Sequence, residues 1–132
     1  MMRLVLAVLV AVGTVLLVQV PSGNAWPESC GNNKTHNFTF GRRGYYDRLI
    51  FTTHEVKSRS FLQKLSYDIT VPPKGAPQRN VITYIEVLDQ YRDSNGGCAY
   101  LNGGGVGNKN VTLHIKSQKG EGVNFVINVY GH

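Results

Sequence analysis

VNFVINVY, residues 123–130, decides the fold. Val123, Phe125, Ile127 and Val129 occupy every second position, so an extended chain places all four on one side and a helix does not. The same period of two recurs in NVTLHIKS, residues 110–117, where Val111, Leu113 and Ile115 alternate with Thr112, His114 and Lys116. These are half-buried strands, one face apolar and the other polar.

Working outward, FLQKLSYDITV (residues 61–71) reads as a strand with Phe61, Leu65, Tyr67, Ile69 and Val71 on its inner face. HNFTF (36–40) adds a short one with Phe38 and Phe40 inward and Asn37 outward. DRLIFTTHEV (47–56) and VITYIEVL (81–88) are apolar on both faces, which predicts strands in the middle of a packed sheet. GRRGYY, VPPKGAPQRN, RDSNGG, LNGGGVGNKN and QKGEG separate these runs with turn residues. Six or seven strands at short spacing, with no helical stripe between them, predict an all-β domain. The expected architecture is one antiparallel β-sandwich, with a flattened barrel as the alternative.

A different composition precedes this domain. MMR is a short basic stretch, LVLAVLVAVGTVLLV is an apolar run of fifteen residues, and QVPSGNA ends in the small residues Gly23 and Ala25. The pattern is that of a secretory signal peptide over residues 1–25, cleaved after Ala25. The run falls short of the roughly 20 apolar residues of a bilayer-spanning helix, so the mature chain is expected to lack a membrane span. The 107 residues left of 132, from Trp26 to His132, suit one domain. They keep 13 of the 14 basic residues and all eight acidic ones, a net charge of +5 that favours acidic partners weakly.

Secretion gives the two cysteines of the sequence, Cys30 and Cys98, an oxidising environment. One intrachain disulfide is the economical reading, and two unpaired or intermolecular thiols are the alternative. Asn33 (NKT), Asn37 (NFT) and Asn110 (NVT) open glycosylation sequons, which demand exposure and say nothing of function.

The glycine-rich stretch RDSNGGCAYLNGGGVGNKNVT (92–112) invites a phosphate-binding reading. A P-loop needs a Ser or Thr after its lysine and a helix beyond it; Lys109 is followed by Asn110 and a strand. The glycines are therefore expected to supply positive φ in a turning loop. Catalytic signals are thin. His36, His54, His114 and His132 show no metal-ligand spacing, and no serine has nucleophile-elbow surroundings. A non-enzymatic protein without metal or cofactor is expected. GRRGYYDR (41–48) is the one cluster with binding chemistry: Arg42, Arg43 and Arg48 beside Tyr45 and Tyr46 combine guanidinium groups with stacking rings. Its competing reading is a solvated hairpin tip with both tyrosines half tucked into the core.

The order of segments resembles an insect family named for multiprotein bridging factor 2. ITYI and DQY within residues 82–91, the glycine loop with NVT (96–112), KSQ to NF (116–125) and the closing VYG (129–131) carry the likeness over nearly the whole mature chain. The family name implies a nuclear coactivator that bridges a nuclear receptor to the TATA-binding protein, whereas many relatives are described as salivary secreted peptides. Two expectations stand. One is an extracellular binding or effector module with a protein or glycan partner, secreted into saliva, gut or haemolymph, which the leader, sequons and cysteines favour. The other is the nuclear coactivator, for which no basic import run or DNA-reading motif is present.

Overall fold

The computed structural model describes residues 30–31, 33–76 and 79–132. The leader and the start at Trp26 lie outside the described residues. Seven strands form, β1 (Phe38–Gly41), β2 (Arg48–Lys57), β3 (Ser66–Val71), β4 (Ile82–Asp89), β5 (Cys98–Gly104), β6 (Val111–Lys116) and β7 (Val123–Gly131). They make two antiparallel sheets, one in the order β1-β4-β7-β2 and the other β3-β6-β5, and the fold is all-β and sandwich-like.

The period of two explains the layers. β7 alternates between buried and half-buried along its whole length, as β6 does. Phe125, Ile127 and Val129 of β7 meet Ile82, Ile85 and Val87 of β4 and Leu113 and Ile115 of β6 in one core with no exposed surface. Burying each such side chain stabilises the fold by about 1.5–3 kcal/mol. Among the described strands only β5 and β6 pair as neighbours in sequence, so most connections cross an end of the sandwich.

Three expectations change. DRLIFTTHEV forms β2 at an edge of its sheet, with an exposed outer face; only VITYIEVL, as β4, is flanked on both sides. An edge position tolerates Thr53 and Glu55 on the inner register, and Tyr67 donates its hydroxyl to Glu55 Oε1 at 2.9 Å. FLQKLSYDITV is a strand only from Ser66, because Gln63 N–H bonds to the Ser60 carbonyl at 3.1 Å and closes a turn. Phe61 therefore stands 86 % exposed, while Tyr67, Ile69 and Val71 do pack against the core. The glycine stretch is not all loop: β5 runs through it before the turn, and Gly103, Gly104, Gly105 and Gly107 do take positive φ.

Candidate functional site

β1 and β2 are consecutive in sequence but lie at opposite edges of the four-stranded sheet. Residues 42–47 are thus no hairpin tip: they cross the ends of β4 and β7, about 14 Å at three strand spacings. The crossing is braced from below. Gly41, at φ 83°, turns the chain where an added Cβ would overlap the Thr83 carbonyl oxygen, and Arg42 N–H bonds to that oxygen at 3.1 Å. Asp47 closes the loop. Its carboxylate accepts the Gly44 amide and, at 2.6 Å, the Thr83 hydroxyl, and it meets His132 Nδ1 at 3.0 Å. The Thr83 hydroxyl first, then the Gly44 amide and His132, hold its pKa below the usual carboxylate value.

The loop presents what Asp47 does not use. Tyr45 is 93 % and Tyr46 89 % exposed, packed edge-on to each other with ring centroids 4.9 Å apart. Neither tyrosine is tucked into the core. Arg43 lies back over the sheet with its guanidinium 4.3 Å from the centre of the Tyr130 ring, and Tyr84 tilts against that ring at 5.7 Å. Tyr130 donates its hydroxyl to Glu86 Oε1 at 3.2 Å, which Asn128 Nδ2 also reaches at 3.0 Å. Burial first, then the Glu86 charge, pushes the Tyr130 phenol up. Arg48, at the start of β2, donates to Asn80 Oδ1 at 3.1 Å.

All five residues singled out in GRRGYYDR therefore lie at one end of the sandwich, and the structure adds Tyr84, Glu86, Asn128 and Tyr130 from the outer face. Those four occupy the non-core positions of VITYIEVL and VNFVINVY, the one sequence signal they carry. Asp47 was missed as well. Its place three residues after Gly44 is the signature of a side chain folding back on its own turn.

The outer face of the other sheet holds a second polar arrangement. His114 Nδ1 meets Asp68 Oδ1 at 2.7 Å and its Nε2 meets Ser66 Oγ at 2.9 Å, the bond order of a Ser–His–Asp relay. Its setting differs from that of a hydrolase. Asp68 keeps 49 % of its side chain exposed and β3 is an edge strand, so water screens the pair instead of being excluded. Asp68 faces His114 directly in the sheet register, and the trio is a cross-strand ladder. The His114 bond holds the Asp68 carboxyl below its usual range.

The opposite end of the sandwich is sewn inward. Cys30 and Cys98 form a disulfide with Cα atoms 5.3 Å apart. Asp89, 6 % exposed, accepts the amides of His36 at 2.9 Å and Tyr91 at 3.0 Å. The His36 Nδ1 faces the Gly96 carbonyl at 3.1 Å, and the Gln118 amide donates to the same carbonyl at 2.8 Å. Of the sequon asparagines, Asn33 and Asn37 are exposed and Asn110 is half-buried at the head of β6. Asn37 Oδ1 accepts the Asp89 amide at 2.8 Å. No group of three or more His, Cys, Asp or Glu among the described residues is placed to hold a metal.

The class is thus an all-β, disulfide-tied two-sheet domain with a braced aromatic and cationic loop at one end. The family described as "Transcription activator MBF2" matches over residues 40–131, and the chain belongs to that family. A protein of Bombus ignitus called a probable salivary secreted peptide is 39 % identical over 98 residues, covering 74 % of this chain and 71 % of that one. No solved structure matches the chain.

Proposed function

We propose that the protein is a secreted, non-enzymatic glycoprotein that acts as an extracellular binding module through the loop of Arg42, Arg43, Tyr45, Tyr46 and Arg48. The observation that carries this reading is the pair of tyrosines at 93 and 89 % exposure on a loop fixed by Asp47. A tyrosine on a braced loop has only two side-chain torsions to fix on meeting a partner, and Tyr and Arg are enriched in binding surfaces. Secretion is supported by the leader pattern, by the disulfide and by the name of the Bombus ignitus relative.

The family description, a transcription activator, favours a second reading. That reading is the intracellular coactivator implied by the resemblance, one that bridges a nuclear receptor to the TATA-binding protein. One experiment separates the two. An epitope-tagged full-length chain expressed in insect cells is expected in the medium, beginning at Trp26, with glycans on Asn110 and on at least one of Asn33 and Asn37. N-terminal sequencing and glycosidase treatment read both features. A nuclear product that keeps Met1 and does not shift on deglycosylation sinks the secreted reading.

A further inference from the structure

The topology collects three connections at the end that carries the tyrosines: residues 42–47 between β1 and β2, the described residues 72–76 and 79–81 between β3 and β4, and 105–110 between β5 and β6. Backbone bonds tie them together. Ile82 N–H reaches the Asn108 carbonyl at 2.8 Å, Gly107 N–H the Ile82 carbonyl at 2.8 Å, and Arg42 N–H the Thr83 carbonyl at 3.1 Å. Arg42, Arg43, Arg48, Lys74, Arg79 and Lys109 stand on or beside these connections, and all are exposed. The one acidic side chain within them is Asp47. Its carboxylate is already committed to Gly44, Thr83 and His132, and its side chain is only 6 % exposed. The positive field at this end therefore has no acidic counterpart facing solvent within the same loops.

Two features specify the ligand beyond its sign. The cations sit on three separate connections and not around one point, which fits a chain of anionic groups better than a single phosphate or sulfate. Four of the six are arginines, whose planar forks match the oxygens of sulfate in pairs. The tyrosine rings, on the same connection as Arg42 and Arg43, supply flat apolar faces suited to the C–H surface of a sugar ring. We propose that this end of the sandwich binds a linear sulfated polysaccharide, the sulfates meeting Arg42, Arg43, Arg48 and Lys109 and a sugar ring resting on Tyr45 or Tyr46. The inference rests on the secreted binding reading above and names its ligand class.

The test uses the full secreted chain and heparin as the sulfated probe, with affinity measured across a salt series. The wild type is expected to bind with a steep salt dependence, because each ion pair formed releases a counterion. Arg42→Ala with Arg43→Ala is expected to weaken binding roughly tenfold or more and to flatten the slope. Lys64→Ala with Lys119→Ala removes the same charge from the opposite end and is expected to change neither strongly. Tyr45→Ala with Tyr46→Ala is expected to weaken binding at every salt concentration while leaving the slope as it was.

Equal losses in the two charge-removing pairs would reduce the effect to net charge and overturn the proposal. Binding to single-stranded DNA or to phosphatidylserine vesicles as tight as to heparin, through the same residues, would overturn it in favour of a nucleic-acid or membrane surface. A chain that appears in the medium yet ignores heparin overturns this inference alone, and a nuclear chain overturns the reading beneath it.

Discussion

The two ends of the sandwich use similar residues to opposite purposes. At the end of residues 58–65, 90–97 and 117–122, polar groups turn inward: Asp89 takes the amides of His36 and Tyr91, and Gln118 spans the Ser94 and Gly96 carbonyls. At the other end a single aspartate, Asp47, satisfies the loop from beneath and leaves arginines and tyrosines outside. The difference lies in how the two ends use their polar groups and not in apolar exposure alone, since Phe61 at the inward end also stands 86 % exposed. A buried polar network fixes a structure because each unsatisfied member is costly, whereas an exposed ring contributes little to the fold and keeps its surface for a partner.

The comparison breaks most sharply at the disulfide. Cys30 and Cys98 close a loop of 68 residues across the inward end. In the chain-entropy account that closure stabilises by about 4 kcal/mol, so Cys98→Ser is expected to lower the unfolding midpoint by roughly 10 °C or more. Asp47→Ala at the outward end is expected to lower it far less. The core strands of both variants should still form, since Phe125, Ile127 and Leu113 lie on strands that no bridge joins. Calorimetry decides: a Cys98→Ser midpoint equal to the wild type's would show that backbone pairing alone holds the inward end.

How much of this was legible in the sequence follows from the range of the forces. VNFVINVY and NVTLHIKS declare their burial because sheet geometry imposes a period of two on the residues themselves. DRLIFTTHEV misleads because an apolar run is the same whether a strand lies inside a sheet or at its edge, and only pairing with β7 on one side tells which. Phe61 belongs to the same alternation as Tyr67, yet a turn at residues 60–63 removes it from the strand. The GRRGYYDR cluster was visible as chemistry, but its crossing of the sheet depends on β1 and β2 lying at opposite edges. His36 and Asp89 are 53 residues apart and share no local pattern, so nothing short of the fold could join them.

Acid sharpens the contrast, because the key carboxylate at each end is shifted in the opposite direction. The Thr83 hydroxyl leads the partners that hold Asp47 below its ordinary 3.8, so its contribution is present above that pH and is lost as pH falls through the folded value. Desolvation raises Asp89 above 3.8 against the lowering effect of its amide partners, so its contribution is present below 3.8 and is lost as pH rises through the folded value. Unfolding is to be followed from about pH 2 to 7 for the wild type, Asp47→Asn and Asp89→Asn, which covers the range below 3.8 where Asp47 changes and the range above it where Asp89 does. The stability gap between wild type and Asp47→Asn is expected to widen with rising pH, and the gap to Asp89→Asn to move the other way. Gaps that run parallel would mean that the two carboxylates sit in equivalent surroundings after all.

The smallest expected change is the one that bears most directly on function. Tyr45 and Tyr46 touch each other, and their exposures of 93 and 89 % leave almost no surface buried for folding to recover. Truncating both is therefore expected to alter unfolding stability by no more than about 0.5 kcal/mol, the usual range for surface positions. Tyr130 provides the internal control: its ring lies under Arg43, its hydroxyl meets Glu86, and Tyr84 packs beside it. Tyr130→Ala removes all three contacts at once and is expected to destabilise by about 1–3 kcal/mol. Denaturant titrations of the two variants give the comparison. If Tyr45→Ala with Tyr46→Ala proved as damaging as Tyr130→Ala, the loop would pack its rings against the sheet in solution, and the outward end would be closed like the inward one. If the fold is indifferent to them, both rings remain in water and available to the partner proposed above.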